Sequence, residues 1–251
     1  MTTRQELRRQ GEAMRDQLFR DETDDSIVQG LEDLFSEAVY GAVWRRPGLG
    51  LPDRMLCALA ALGALARLPQ LRAHVMAALD LGLAPEAITE TFIQCGIYAG
   101  FPTSENAIGV AAGVFAERGI ELPEEAARND PLDELTERGR ALLEILHGSR
   151  GYEGYAAPDN KVTGALYPVA IQYGYGEIWD RPGLDRRQRA LVAVAAFTAL
   201  RLDGQVRKFG QSALNVGLSR EEVVEAVIQT APYGGFAPAL NALAALSDAL
   251  R

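Results

Sequence analysis

From Met55 to Ala66 the chain reads MLCALAALGALA, apolar all round the period of a helix. A helix of that kind belongs inside a bundle rather than on its surface. Around it the pattern is amphipathic. Residues 4–20 set Leu7, Met14 and Leu18 on one helical face among charges, and DETDDS at 21–26 breaks that helix. Residues 31–44 space Leu31, Leu34, Phe35, Ala38 and Val39 helically and stop at Arg46-Pro47-Gly48, a turn signal. Pro52 fits the first turn of the apolar helix, where a missing N–H matters little. Leu68-Pro69 is read as its end. Further helices are expected over about 70–81, closed by Gly82, from Pro85 to Gly100, and over about 104–118. Residues 119–130 are acidic and aperiodic, the pattern of a linker. Asp130-Pro131 then opens a helix to His147, and a Gly- and Tyr-rich loop covers 148–160.

The second half repeats the first. At an offset of 135, residues 40–116 align with 175–251 without a gap and 29 of the 77 positions are identical, far beyond chance, so the chain is a tandem duplication. Trp44 pairs with Trp179, Arg54 with Arg189, Glu90 with Glu225, Gln94 with Gln229, Tyr98 with Tyr233 and Phe101 with Phe236. The opening helix repeats at an offset of 128, pairing Gly11 with Gly139, Leu18 with Leu146 and Phe19 with His147. The duplication divides the chain into residues 1–125 and 126–251, and the fold class is all-α.

Composition narrows the function classes. A formal charge of −9 argues against a general nucleic-acid binder. No apolar run reaches the roughly 18–20 residues of a membrane span, and the charged N-terminal stretch is unlike a signal peptide. Two cysteines make no disulfide scaffold, so a cytoplasmic setting is expected. Two histidines and two widely spaced cysteines form no metal-ligand motif, and the glycine-rich segments lack the strand–loop–helix setting of a phosphate cradle.

The segments RPGL, LRAHVMAALDLG, APEAITE and IQCGIYAGFP together resemble the carboxymuconolactone decarboxylase family, a group that also holds the alkylhydroperoxidase D-like proteins. The resemblance runs over nearly the whole chain, twice. It implies a duplicated helical-bundle domain, assembly of the double domain as a homotrimer, and a lyase that moves protons on a small cyclic carboxylic acid or lactone with no metal or organic cofactor. The peroxidase branch needs a Cys-x-x-Cys pair before the helix histidine. Here those positions hold Arg67 and Gln70, and Leu202 and Gln205 in the second copy. No thiol pair is present to run a disulfide cycle. The Glu that follows the family's arginine is Met55 here and Ala190 in the second copy.

One titratable residue survives in one copy only: His74 matches the family's helix histidine, and its counterpart is Phe209. His74 shares a helix face with Leu71, Val75 and Ala78, so it is either a core histidine satisfied by a carbonyl or a general acid/base. Arg54 opens the apolar helix, poorly placed for the helix dipole. It is balanced by a structural carboxylate, Glu90 or Glu225, or by a substrate carboxylate held bidentately. In the catalytic reading His74 moves the proton, and Arg54 or the pocket tyrosines orient and stabilise an enolate-like intermediate. Trp44, Cys57, Cys95, Tyr98 and Phe101 are the candidate substrate-pocket residues, although both thiols lie in apolar surroundings where they behave as small hydrophobes. His147 precedes Gly148 and reads as a helix C-terminal residue. The expected partner is a small-molecule substrate. The alternatives are a diverged enzyme of secondary metabolism using the same pocket for cyclisation, dehydration or cofactor-free oxidation, and a non-catalytic ligand-binding or scaffold protein.

Overall fold

The structure, a computed structural model, describes residues 2–19, 28, 30–123, 128–157 and 159–250. All regular structure among them is helical. The first half contains α1 (Arg4–Leu18), α2 (Leu31–Phe35), which runs on into a wide, π-type helix (Ser36–Trp44), α3 (Leu51–Ala64), α4 (Leu68–Asp80), α5 (Pro85–Ala99) and α6 (Phe101–Glu117). The second half repeats the order with α7 (Leu132–His147), α8 (Tyr167–Val169) and its π-type continuation (Ala170–Glu177), α9 (Arg186–Ala199), α10 (Asp203–Asn215), α11 (Arg220–Gly234) and α12 (Phe236–Ala249). The expected division between residues 125 and 126 lies outside the described residues.

One boundary differs from the sequence reading. The apolar helix ends at Ala64, and Leu68-Pro69 starts α4 instead of closing α3. Proline in a first helical turn gives up no hydrogen bond, so Pro69 is as well suited to opening a helix as to following one. The turn between the two helices is tight. Ala66 takes a φ of 52° and its counterpart Arg201 one of 61°, and the next backbone N–H reaches back, Arg67 to Leu62 and Leu202 to Phe197, each at 2.9 Å. That wrapped ending normally uses glycine. Both copies keep a side chain there, immediately before the helix that carries His74 or Phe209.

Each opening helix lies against its own π-type segment through glycine. A Cβ on Gly11 would stand 1.8 Å from the Ser36 carbonyl oxygen, and one on Gly139 would stand 2.2 Å from that of Ile171. These are pseudo-equivalent approaches that no side chain permits.

The two halves share one interior. α3 and α9, the two apolar helices, pack on each other, and α5 and α11 each pack on the apolar helix of the other half. Leu56, Cys57, Ala60, Ala64 and Cys95 therefore belong to the same buried cluster as Leu191, Val194, Phe197 and Phe209. Burying both faces of two such helices is the main stabilising term, since each fully buried aliphatic side chain contributes roughly 1.5–3 kcal/mol. Among the described residues no helix is long and apolar enough to cross a membrane.

Candidate functional site

The contacts between halves are reciprocal, as in an isologous dimer folded into one chain. Arg54 reaches across to Glu225 at 2.8 Å and to the Gln229 side-chain oxygen at 3.2 Å. Arg189 reaches Glu90 at 2.8 Å and the Gln94 oxygen at 3.2 Å. Arg46 and Arg181 complete the clusters on Glu225 and Glu90, each at 2.7 Å. The Arg54 guanidinium is wholly buried and also donates to the carbonyls of Arg46, Pro47 and Leu49. Of the two carboxylates the sequence left open, Glu225 is the one that balances Arg54. The repeated Glu and Gln of α5 and α11 are thus the joint between the copies.

Beside each joint stands an aromatic cage, and each cage borrows one tyrosine from the other half. The first contains Phe19, Tyr40, Trp44 and His74, with Tyr233 from α11. Its hydrogen bonds fix the tautomer. His74 Nδ1 lies 2.8 Å from the Gln70 carbonyl, which only accepts, so Nδ1 carries the proton. Nε2 then accepts from the Tyr233 hydroxyl at 3.0 Å, and that oxygen accepts the Trp44 indole N–H at 3.0 Å. Protons therefore line up from Trp44 through Tyr233 to His74. Burial pulls the His74 pKa down to about 4, against an opposing push from the Gln70 carbonyl, so the imidazole rests neutral. Burial also raises the Tyr233 phenol well above its usual value.

The second cage contains His147, Tyr175, Trp179 and Phe209, with Tyr98 from α5. Histidine and phenylalanine have exchanged places. Phe19 meets His74 edge-on at 5.0 Å, and His147 meets Phe209 edge-on at 4.9 Å. Trp179 donates to Tyr98 at 2.9 Å, the equivalent of Trp44 to Tyr233, and Gln94 donates to the same oxygen at 3.1 Å. Phe209 offers Tyr98 no acceptor in the place of His74. His147 sits behind Tyr175 instead. Ser212 gives its hydroxyl proton to the Lys208 carbonyl at 3.0 Å and accepts from His147 Nδ1 at 2.6 Å, which leaves Nε2 to accept from Tyr175 at 3.0 Å. Burial, then the charges of Lys208 and Arg150, hold His147 down to about 3. The sequence placed His147 at a helix C-terminus, where it is, and gave no sign of these partners.

A cavity of about 580 Å³ opens on the second cage, between Tyr98, Phe101, Tyr175, Trp179, Leu202 and Phe209. His74 does not line it. The residues singled out from sequence are thus divided. Trp44 and His74 meet in the first cage, Tyr98 and Phe101 border the cavity at the second, and Arg54, Cys57 and Cys95 lie in the shared interior. Burial raises both thiols, Cys57 foremost and Cys95 to about 12. Among the described residues no three His, Cys, Asp or Glu side chains gather as a metal would require. What reasoning from sequence missed is that each tyrosine serves the other copy's tryptophan. The signal present was the pair of His/Phe exchanges in opposite senses, at offsets of 135 and 128.

Comparison with known proteins agrees with the duplication. The profile of the carboxymuconolactone decarboxylase family matches residues 29–113 and again 165–248. A 4-carboxymuconolactone decarboxylase of Acinetobacter baylyi is 37% identical over 92 residues, covering 37% of this chain and 69% of that protein. A nitrosuccinic acid decarboxylase of Metarhizium robertsii is 27% identical over 118 residues, covering 47% and 82%. A crystal structure from Burkholderia xenovorans, described as a gamma-carboxymuconolactone decarboxylase subunit, superposes with a TM-score of 0.56 over 96% of this chain and 95% of that one, at 22% identity. At that identity the likeness extends to the fold alone.

Proposed function

Because the chain belongs to the carboxymuconolactone decarboxylase family, we propose that it is a carbon–carbon lyase of the decarboxylase type, releasing CO2 from a small carboxylic or lactone acid by proton transfer at His74. The observation that carries this reading is the aligned chain from Trp44 through Tyr233 to His74. The named relatives, decarboxylases of two acids, support the class of reaction.

The resting imidazole is neutral because burial disfavours its charge. A carboxylate entering the cage supplies the missing counter-charge and raises that pKa, so binding of an anionic substrate is accompanied by uptake of one proton from solvent onto Nε2. Nε2–H then donates to Tyr233, whose O–H turns to the substrate while Trp44 still holds its oxygen. When the carbon–carboxylate bond breaks, its electron pair stays on carbon and CO2 leaves. The Tyr233 proton passes to that carbon and the Nε2 proton refills Tyr233. With the anion gone, His74 returns to its neutral form. The net change is one proton and one carboxylate in, one C–H bond and one CO2 out. Burial keeps Tyr233 protonated at rest, so it can hydrogen-bond to a developing enolate and hand on its proton as Nε2 replaces it.

In this reading Arg54 binds no substrate. It holds the halves together through Glu225, and Cys57 and Cys95 fill space. The reading also includes a homotrimer, with exposed Phe101, Phe236 and Leu240 as candidate contacts. Light scattering should give about three times 27.1 kDa, and a monomer would contradict it. The catalytic proposal is tested by CO2 release from 4-carboxymuconolactone, nitrosuccinic acid and related acids. His74→Gln should lower turnover of the acid used by about 100-fold. Near-native turnover in a folded His74→Gln protein would overturn the assignment and favour a cage that only binds.

A further inference from the structure

The cavity at the second cage needs no part of the lyase reading, and its chemistry differs from that of the first. None of the described residues lining it is charged. At its rim stands Leu202, the residue before α10, where the first copy has Arg67 before α4. Inside, Phe209 replaces His74. At these two positions the second copy lacks the first's positive or protonatable group, and His147, Arg150 and Lys208 are not among the residues lining the cavity, so a carboxylate in it meets no cation directly. An unpaired anion buried there would carry its full desolvation penalty.

Its polar equipment is nevertheless specific. The Tyr98 oxygen takes two hydrogen bonds, from Trp179 and Gln94. Burial keeps the phenol protonated, with its pKa raised well above the usual range. Its own O–H has lost the imidazole that accepts in the first cage, so it meets a ligand as a donor. Tyr175 is turned the other way. It gives its proton to His147, which Ser212 holds in place. The walls around the Tyr98 donor are the faces and edges of Trp179, Phe197 and Phe209.

From this arrangement we infer that the second cage is a separate binding site for a neutral, flat, largely apolar ligand carrying a carbonyl oxygen. Tyr98 donates to the carbonyl, and the rings of Trp179, Phe197 and Phe209 bound the flat body. A cavity of about 580 Å³ falls within the range that holds compact ligands of drug size. The duplication has thereby produced two differently equipped cages, one in which the borrowed tyrosine faces the imidazole of His74 and one in which it faces Phe209.

Calorimetric titration with 2-acetonaphthone, 2-naphthoate and 2-ethylnaphthalene tests the site, since the three share a ring system and differ in the group offered to Tyr98. The ketone should bind one to one, and at least tenfold more tightly than the other two. Tyr98→Phe should weaken the ketone about tenfold, and Phe209→Trp, which fills the cavity, should abolish binding. Leu202→Arg should shift the preference toward the naphthoate, and His74→Phe should leave ketone binding unchanged. No binding of the ketone, equal binding of ketone and naphthoate, or an undiminished affinity in a folded Tyr98→Phe protein would overturn the inference. So would loss of binding in His74→Phe with survival in Phe209→Trp, because that pattern places the ligand in the first cage.

Discussion

Replacing His74 by phenylalanine should remove a definite part of the protein's sensitivity to acid. In the folded chain His74 titrates at about 4 against 6.5 for a free imidazole. A histidine whose folded pKa is depressed is more readily protonated unfolded, so acid favours unfolding. Its contribution is intact above about pH 6.5, is lost as the pH falls toward 4, and levels off below. The separation corresponds to roughly 3 kcal/mol in full. At about pH 5 the unfolded imidazole is almost wholly charged and the folded one largely neutral, so about 2 kcal/mol has gone. His147, held down to about 3 by burial and then by Lys208 and Arg150, loses a similar amount over the same interval. Urea unfolding at about pH 7.5 and 5 should therefore show His74→Phe losing about 2 kcal/mol less stability than the wild type between the two. The native Phe209 at the equivalent position shows that the fold accepts that ring. Carboxylates titrate alike in both proteins and cancel in the difference. Equal losses in the two proteins would refute the assignment of His74 as a buried, neutral imidazole.

Three other outcomes follow from the geometry. Glu225→Gln leaves the wholly buried Arg54 without its counter-charge and should destabilise by about 3–5 kcal/mol in chemical denaturation; a loss under about 1 kcal/mol would mean that the joint between halves does not depend on this pair. Gly139→Ala drives a Cβ against the Ile171 carbonyl and should lower stability by about 3 kcal/mol, whereas Gly113→Ala, where a Cβ meets open space, should not. Cys57 and Cys95, buried and with raised pKa values, should resist an aromatic disulfide reagent at neutral pH until the chain is unfolded; rapid labelling of the native protein would show that the shared interior opens.

The helices and the duplication were legible because both are local or linear signals: apolar periodicity for one, residue identity at a constant offset for the other. Pro69 shows the limit of a local signal, since one proline reads equally as a stop and as a first turn. The cages were legible only in pieces. Trp44, His74 and Tyr98 each stood out, but a repeat says which residues correspond, not which copy's tyrosine faces which copy's tryptophan. That pairing is set by α3 packing on α9, which brings α5 and α11 across to the opposite half. The same crossing decided between Glu90 and Glu225 as the partner of Arg54. His147 was passed over because its partners, Tyr175 and Ser212, lie 28 and 65 residues away and no spacing rule joins them. The cavity is a property of packing at Phe209 and had no sequence signal of its own.

The central claim is that an anionic substrate charges the neutral His74. Imidazole NMR of the protein at about pH 7, free and with a saturating carboxylic acid, reads this directly. The free His74 should show the neutral tautomer protonated at Nδ1, and the bound His74 the imidazolium, while His147 stays neutral in both states. A His74 that remains neutral when the acid is bound, or is already charged without it, would contradict the account.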